Sequence, residues 1–341
     1  MGFDQNLGVA AFRVGGLGVS TRSVLAPLSG VTDLAFRRIA QRFGAGLVVS
    51  EMVASDEYVR GRAEARLRAE GEGISPHVVQ LAGCDPYWMA EAARLAEASG
   101  AAIIDINMGC PAKKVTGGYA GSALMRDLDV ATALMRAAIA ACGVPVTVKM
   151  RLGWDEASLN APELARRAEA LGVKAVTVHG RTRQQFYKGG ADWARIAEVA
   201  QAVAIPVIAN GDVTSIGDAF ACLEASRAAA VMIGRAAVGK PWLVGQIGSA
   251  LAGRAVREPS AVEKTEAAIE HYQGLLSLFG REIGIRHARK HLAAYADAAR
   301  EAGAGATGAE RLALVTTTEP RVALAILERL YEAAHELRAA A

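Results

Sequence analysis

Eight short apolar runs alternate with longer helical patterns over the first two thirds of the chain, and this alternation limits the possible folds more than any other feature. The runs cover residues 24–28, 47–50, 77–82, 102–107, 145–150, 175–179, 206–210 and 230–234. Each is rich in β-branched residues and nearly continuous, as expected of parallel strands covered on both faces. Helical spacing of apolar residues follows in 33–43, 86–99, 161–171 and 192–203, with Thr32, Asp85 and Asp192 as N-terminal caps or first-turn acids. Eight strand–helix units fit an α/β (β/α)₈ TIM barrel, and a doubly wound open sheet is the rival. Two observations favour the barrel. No G-x-G-x-x-G follows the first run, and polar or glycine residues gather at the C-terminal ends of most runs. In a barrel those ends share one mouth, where such enzymes react.

The strand pattern stops near Gly234. Residues 236–251 read as the eighth helix, 252–260 as a linker, and 262–279, 283–299 and 319–339 as further helices, with a loop at 303–308. The expected organisation is a barrel in 1–251 followed by a small helical domain in 261–341, which packs its own apolar faces. The 341 residues, 52% of them hydrophobic, suffice for both. No apolar run reaches the roughly 18 residues of a membrane span, and the N-terminus lacks the basic start and apolar block of a signal peptide. The expectation is a cytoplasmic protein without a membrane partner, with a monomer as one option for its unsettled oligomeric state. A net charge of +3 is too small to announce nucleic acid, so any such site must come from local clustering. The cysteines at 84, 110, 142 and 222 form no C-x-x-C and no Cys/His pattern of zinc spacing, so neither a metal nor a disulfide framework is expected. Cys84, Cys142 and Cys222 read as small buried hydrophobes.

The chemistry lies at the run ends. Asn210-Gly211-Asp212 and Gly234-Arg235 follow the seventh and eighth runs, where barrels often bind phosphate through backbone N–H groups. Lys149 and Arg151, two residues apart, point to the same mouth and need an anionic partner, either a ligand or an acid such as Asp105 or Glu51. His179 stands beside Arg181 and Arg183. Asn107 ends the fourth run, and the glycine-rich loop beyond it carries Cys110 next to Lys113 and Lys114. A thiol there can act as a nucleophile when ionised or as an acid when protonated, and both remain open. In the tail, Arg286, Arg289 and Lys290 share one helix face, either solvated or a phosphate-binding stripe.

Taken in order, Ala26-Pro27-Leu28-Ser29-Gly30-Val31-Thr32-Asp33, Ser50-Glu51-Met52, Gln80-Leu81-Ala82-Gly83, Asp105-Ile106-Asn107-Met108-Gly109-Cys110-Pro111, Val148-Lys149-Met150-Arg151, His179-Gly180-Arg181-Thr182, Asn210-Gly211-Asp212 and Gly234-Arg235 resemble the tRNA-dihydrouridine synthases. The extension Pro111-Ala112-Lys113-Lys114-Val115 is similar to the bacterial B-type branch. The resemblance is collinear from about residue 20 to about residue 300, and the cysteine motif is its most specific part. It differs at Ala294, where the family often has Trp before the tyrosine.

The resemblance implies an FMN-containing barrel with a helical tRNA-binding domain and NADPH as reductant. It places Pro27, Leu28, Ser29, Gln80 and Lys149 around the flavin, and His179, Asn210, Gly211, Asp212, Gly234 and Arg235 along its ribityl chain and phosphate. It makes Cys110 the proton donor to a D-loop uracil (U17 by the B-type likeness). Asn107, Arg151 and Arg181 would read the base, and Lys113, Lys114, Arg286, Arg289 and Lys290 would contact the tRNA. The competing readings are a dihydroorotate-dehydrogenase-like FMN barrel acting on a free pyrimidine, and a non-catalytic RNA-binding protein. The basic tail helix argues against the first, and the intact mouth residues argue against the second.

Overall fold

A computed structural model describes residues 10–303 and 307–331. Eleven strands are present among them: β1 (Phe12–Val14), β2 (Leu17–Val19), β3 (Ser23–Leu25), β4 (Leu47–Val48), β5 (Val53–Ala54), β6 (Val78–Ala82), β7 (Ile103–Met108), β8 (Val146–Arg151), β9 (Ala175–His179), β10 (Val207–Asn210) and β11 (Ala230–Ile233). Nine form one parallel sheet in the order β4-β3-β11-β10-β9-β8-β7-β6-β5. A parallel bridge from Val49 to Val78 joins the end of β4 to β6, so β4 and β5 are two parts of one stave and the sheet closes. The result is an eight-stave TIM barrel, with helices on its outer face and a helical region after it.

The side-chain period of two divides each stave between two environments. Outward residues such as Leu25, Val48, Leu81, Ile106, Val148, Val178, Ala209 and Ile233 pack in one large core with the surrounding helices. Inward residues change character with height. At the floor, Val24, Leu47, Val49, Val78, Ile103, Ala175, Ile208 and Ala230 form a separate apolar cluster. Higher up, Gln80, Asp105, Asn107, Thr147, Arg151, Thr177, His179 and Asn210 are buried and polar. The barrel thus has a dry base and a polar mouth.

The hairpin β1–β2 is absent from the expected elements. Its antiparallel register pairs Phe12 with Val19 and Val14 with Leu17. Phe12, Val14 and Val19 join the floor cluster and plug the N-terminal end of the barrel. Each such buried side chain contributes roughly 1.5–3 kcal/mol of apolar burial. Its strands are too short for a periodicity signal, and only the open barrel end makes their burial worthwhile.

Several local expectations shift. Asp33, not Thr32, caps helix Leu34–Arg42 by accepting from Phe36 N–H, while the Thr32 hydroxyl accepts from Leu28 N–H. Asp85 and Asp192 cap helices Pro86–Ala98 and Trp193–Ala202. The region 236–251 divides into a 3-10 turn, Arg235–Ala237, and helix Trp242–Leu251, because Val238 is extended and Gly239 takes φ +79 between them. Cys84 is exposed and Cys142 half-buried, and only Cys222 is fully buried among the three expected to be so. Cys84 sits in the short link between β6 and the cap Asp85, outside both cores.

Helices Ala261–Phe279, Arg281–Glu301, Gly308–Thr316 and Pro320–Leu327 follow the barrel. They share a core of Tyr272, Leu275, Leu292, Tyr295, Leu314, Leu327 and Tyr331, which Trp242 of the last barrel helix also enters. Ser260 and Glu263 form a capping box at the first of them. The expected helix 319–339 is described as Pro320–Leu327, and residues 332–339 lie outside the described residues. Helix Gly308–Thr316 was not expected from the sequence. No helix among the described residues is long and apolar enough to cross a membrane.

Candidate active site

A cavity of about 530 Å³ opens at the C-terminal ends of the staves. Its wall brings together Pro27, Leu28, Ser29, Gln80, Asn107, Cys110, Lys149, Arg151, His179, Asn210, Gly211, Asp212, Gly234 and Arg235, which lie in seven separate segments of the sequence. Lys113 and Lys114 are exposed on the short helix Lys113–Thr116 and do not line it.

A hydrogen-bonded row crosses the polar layer. The Thr147 hydroxyl donates to Asp105 Oδ1 at 2.6 Å, and Gln80 Nε2 donates to Asp105 Oδ2 at 2.7 Å. Asn107 Nδ2 then donates to Gln80 Oε1 at 2.7 Å. Asn107 Oδ1 accepts from the N–H groups of Gly109 and Cys110, at 3.2 and 3.0 Å. The far end of the Cys110 loop is tied as well, since Ser122 N–H and Oγ both donate to the Cys110 carbonyl, at 3.0 and 2.9 Å. Arg151 Nε donates to the Gly109 carbonyl at 2.9 Å. The thiol therefore stands on a loop anchored at three points, and Asn107 is one of the anchors.

The cations divide into spent and available groups. Arg181 is buried and does not line the cavity: it pairs with Asp212 and donates to the carbonyls of Lys188 and Gly189. The donors expected to read a base are committed to holding the loop 182–190 and the Asp212 carboxylate. Arg151 Nη1 likewise donates to the carbonyls of Thr182 and Phe186, at 2.8 and 2.9 Å. Burial, with Arg151 next, pulls the Lys149 ammonium down to about 8. Lys149 donates to Asn210 Oδ1 at 3.0 Å, and Asp105 acts on it as a nearby negative charge. Asp105 is held by Gln80 and Thr147, and burial raises its pKa.

Burial and the surrounding cations Lys149, Arg151, Arg181 and Arg235 hold His179 well below its ordinary value, so its ring is neutral near pH 7. Arg181 Nη1 lies 3.3 Å from Nε2 and can only donate, which puts the ring proton on Nδ1. Gly211 has φ +117, and a Cβ there would meet Ala191 Cβ at 2.7 Å and His179 Cδ2 at 2.8 Å, so the close approach of this loop needs glycine. Burial alone would raise the Asp212 carboxyl, but the hydrogen bonds from Arg181 and from Ala191 N–H keep it below its ordinary value. Arg235 reaches Asp212 Oδ1 at 3.3 Å and remains mostly exposed beside the cavity.

Phe186 and Tyr187 also line the cavity, a feature the sequence reading missed. Two guanidinium groups approach the Tyr187 ring, with Arg151 at 5.6 Å and Arg235 at 4.9 Å from its centroid. The only sequence signal was two adjacent aromatics in a polar loop. The tail stripe is placed outside the cavity: Arg286, Arg289 and Lys290 are exposed on helix Arg281–Glu301. Lys290 nevertheless reaches the rim. A Cβ at Gly30 would stand 3.1 Å from its ammonium.

A family model described as dihydrouridine synthase (Dus) matches residues 24–325. The chain is 54% identical over 317 residues to a protein of Rhizobium leguminosarum bv. phaseoli named probable tRNA-dihydrouridine synthase, across 93% of this chain and 96% of the relative. It is 45% identical over 286 residues to one of Xanthomonas axonopodis pv. citri named tRNA-dihydrouridine synthase B, across 83% and 86% of the two chains. Among solved structures, a 2-naphthoyl-CoA reductase superposes with a TM-score of 0.58 at 12% identity, over 96% of this chain and 68% of the other. A histamine dehydrogenase from Rhizobium superposes with a TM-score of 0.54 at 15% identity, over 76% and 49%. At those identities the two structures speak to the fold alone.

Proposed function

The chain belongs to the dihydrouridine synthase family, and we propose that it reduces the C5=C6 bond of a D-loop uridine in tRNA, with NADPH as the source of electrons and FMN as resident cofactor. The observation that carries this reading is the placement of an anchored thiol, Cys110, and a cation, Lys149, on the wall of the same cavity as a glycine-lined cradle from the ends of β10 and β11.

The residues fit FMN. A dianionic phosphate needs convergent donors, and the backbone of Gly211 and Gly234, the Nδ1–H of neutral His179 and the Arg235 guanidinium supply them. Asp212 contributes its backbone to this loop, because its carboxylate is already taken by Arg181 and Arg235. Pro27, Leu28, Ser29, Gln80, Lys149 and Asn210 would hold the ring system and ribityl chain. When bound, FMN supplies the hydride that adds to uracil C6.

The chain's own residues supply the rest. Cys110 gives its Sγ proton to C5, completing the addition of two hydrogens. Asn107, Ser122 and Arg151 hold the loop that carries it. Arg151 keeps an Nη2 outside those bonds and can donate it to a uracil carbonyl as negative charge develops there. Lys149 gives the cavity a positive charge next to the flavin ring. Arg286, Arg289 and Lys290 bind tRNA phosphates, with Lys290 nearest the rim, and Lys113 and Lys114 extend that contact. The division of labour follows the chain, with a catalytic barrel in 1–251 and a tRNA-binding helical unit in 261–341, and a cytoplasmic location accords with the substrate.

The test is turnover of tRNA lacking dihydrouridine by purified protein with NADPH, read by mass spectrometry of the nucleosides. Wild-type protein should add two hydrogens to a D-loop uridine. Cys110→Ala should keep FMN and its reduction by NADPH while slowing tRNA reduction by about 10²–10⁴, the usual weight of a positioned acid. A normal rate in Cys110→Ala would remove the thiol from the reaction.

A further inference from the structure

Behind the mouth loop of β3, three buried side chains from three elements converge. Asp33 caps helix Leu34–Arg42, His271 lies on helix Ala261–Phe279, and His291 on helix Arg281–Glu301. Their side chains are 3%, 1% and 2% exposed. Asp33 Oδ2 is 3.1 Å from His271 Nε2 and 3.9 Å from His291 Nε2, and the potential ligand atoms of all three lie within 4.8 Å of one another. We propose that Asp33, His271 and His291 form a binding site for one zinc-class transition-metal ion, which clamps the tail helices to the barrel.

Three observations support it. The first is geometric. Ligand atoms about 2.0–2.1 Å from a tetrahedral centre stand roughly 3.3–3.4 Å apart, and the two measured separations bracket that spacing. The second is an unmet demand: among the described residues, neither ring nitrogen of His291 has a hydrogen-bond partner, although the side chain is buried. A buried imidazole without a partner is costly, and a metal bond at Nε2 would supply one for that nitrogen. The third is orientation from behind. His271 Nδ1 lies 3.2 Å from the Tyr295 hydroxyl, and Asp33 Oδ1 accepts from Phe36 N–H at 3.1 Å. Metal-binding histidines and carboxylates are commonly fixed in this way through the atom that does not ligate.

Two imidazoles and one carboxylate favour Zn²⁺, Co²⁺ or Fe²⁺ over Mg²⁺ or Ca²⁺, which prefer oxygen. A water completes four-coordination. None of the three residues lines the 530 Å³ cavity, so the ion is structural and independent of the reaction there. Its position ties helix Arg281–Glu301, and with it Lys290 at Gly30, to the loop that carries Pro27, Leu28 and Ser29.

The test is made on the purified full chain, loaded with its flavin and supplied with zinc. Elemental analysis should find about one zinc per chain, and X-ray absorption should show a nitrogen and oxygen shell at ~2.0–2.1 Å without the ~2.3 Å sulfur distance. A chelator should lower the wild-type Tm, and zinc should restore it. His291→Gln should lose the metal and the zinc response. Zinc absent from the supplemented wild type, a sulfur shell from the free cysteines, or zinc retained in His291→Gln would each overturn the site and leave a hydrogen-bonded cluster. The wild-type measurements decide the question even if the variant does not fold.

Discussion

Replacing Asn107 tests whether this residue reads the substrate or holds the thiol in place. In Asn107→Ala, the N–H groups of Gly109 and Cys110 lose their shared acceptor, and Gln80 Oε1 loses its donor. Each orphaned group costs about 1–3 kcal/mol when buried, and the two N–H groups border the cavity, where water offsets part of the loss. The sum is about 2–4 kcal/mol of local stability. Ser122 and Arg151 still hold the Cys110 and Gly109 carbonyls, so the loop should shift rather than unfold. A displacement of about 1 Å at the reacting atom costs on the order of 10² in rate.

Asn107→Asp separates shape from hydrogen bonding. It keeps an acceptor for the two N–H groups but sets a carboxylate oxygen against Gln80 Oε1. Gln80 cannot simply turn its amide, because Nε2 already donates to Asp105. Both variants should lower kcat for tRNA by about 10- to 100-fold, leaving KM and flavin reduction by NADPH nearly unchanged. Alkylation of Cys110 by iodoacetamide, mapped by peptide mass spectrometry against the exposed Cys84, should change in rate with them. A raised KM for tRNA with an intact kcat would refute the reasoning and return Asn107 to the role of base reader.

Three further outcomes are expected. Arg235→Ala should weaken FMN binding about tenfold, the low end for a charge-assisted contact because the side chain is 61% exposed, and an unchanged affinity in fluorescence titration would take Arg235 off the phosphate. Lys149 has its folded pKa lowered from 10.5 to about 8, so its charge is present below pH 8 and lost as pH rises through that value. FMN affinity should therefore decline above pH 8, by at most about tenfold per pH unit, and Lys149→Met should lack this limb; an identical decline in the variant would assign it elsewhere. Reversing charge at Arg286, Arg289 and Lys290 should reduce the log–log salt slope of tRNA binding by roughly 0.7–0.9 per lost contact while NADPH oxidation without tRNA continues, and an unaltered slope would mark the stripe as a solvated face.

The local alternation of residues was enough to determine the eight staves and the mouth. A strand is a local object, and its period of two places Thr147, Lys149 and Arg151 on one face whatever surrounds them. Glycine and polar residues at the run ends follow from the same geometry, so most of the cavity wall could be named in advance. The fate of each donor could not be, because hydrogen bonding depends on partners far away in the chain. Arg181 and Asn107 carry the right chemistry to read a base, yet Arg181 is consumed by Asp212 and by carbonyls of its own loop, and Asn107 faces Gln80 across 27 positions. The short hairpin β1–β2 has meaning only once a barrel end exists for Phe12 and Val14 to fill. Asp33 and His271, 238 positions apart, show no metal spacing along the chain, and only the docking of the tail helices on the first barrel helix brings them within 3.1 Å.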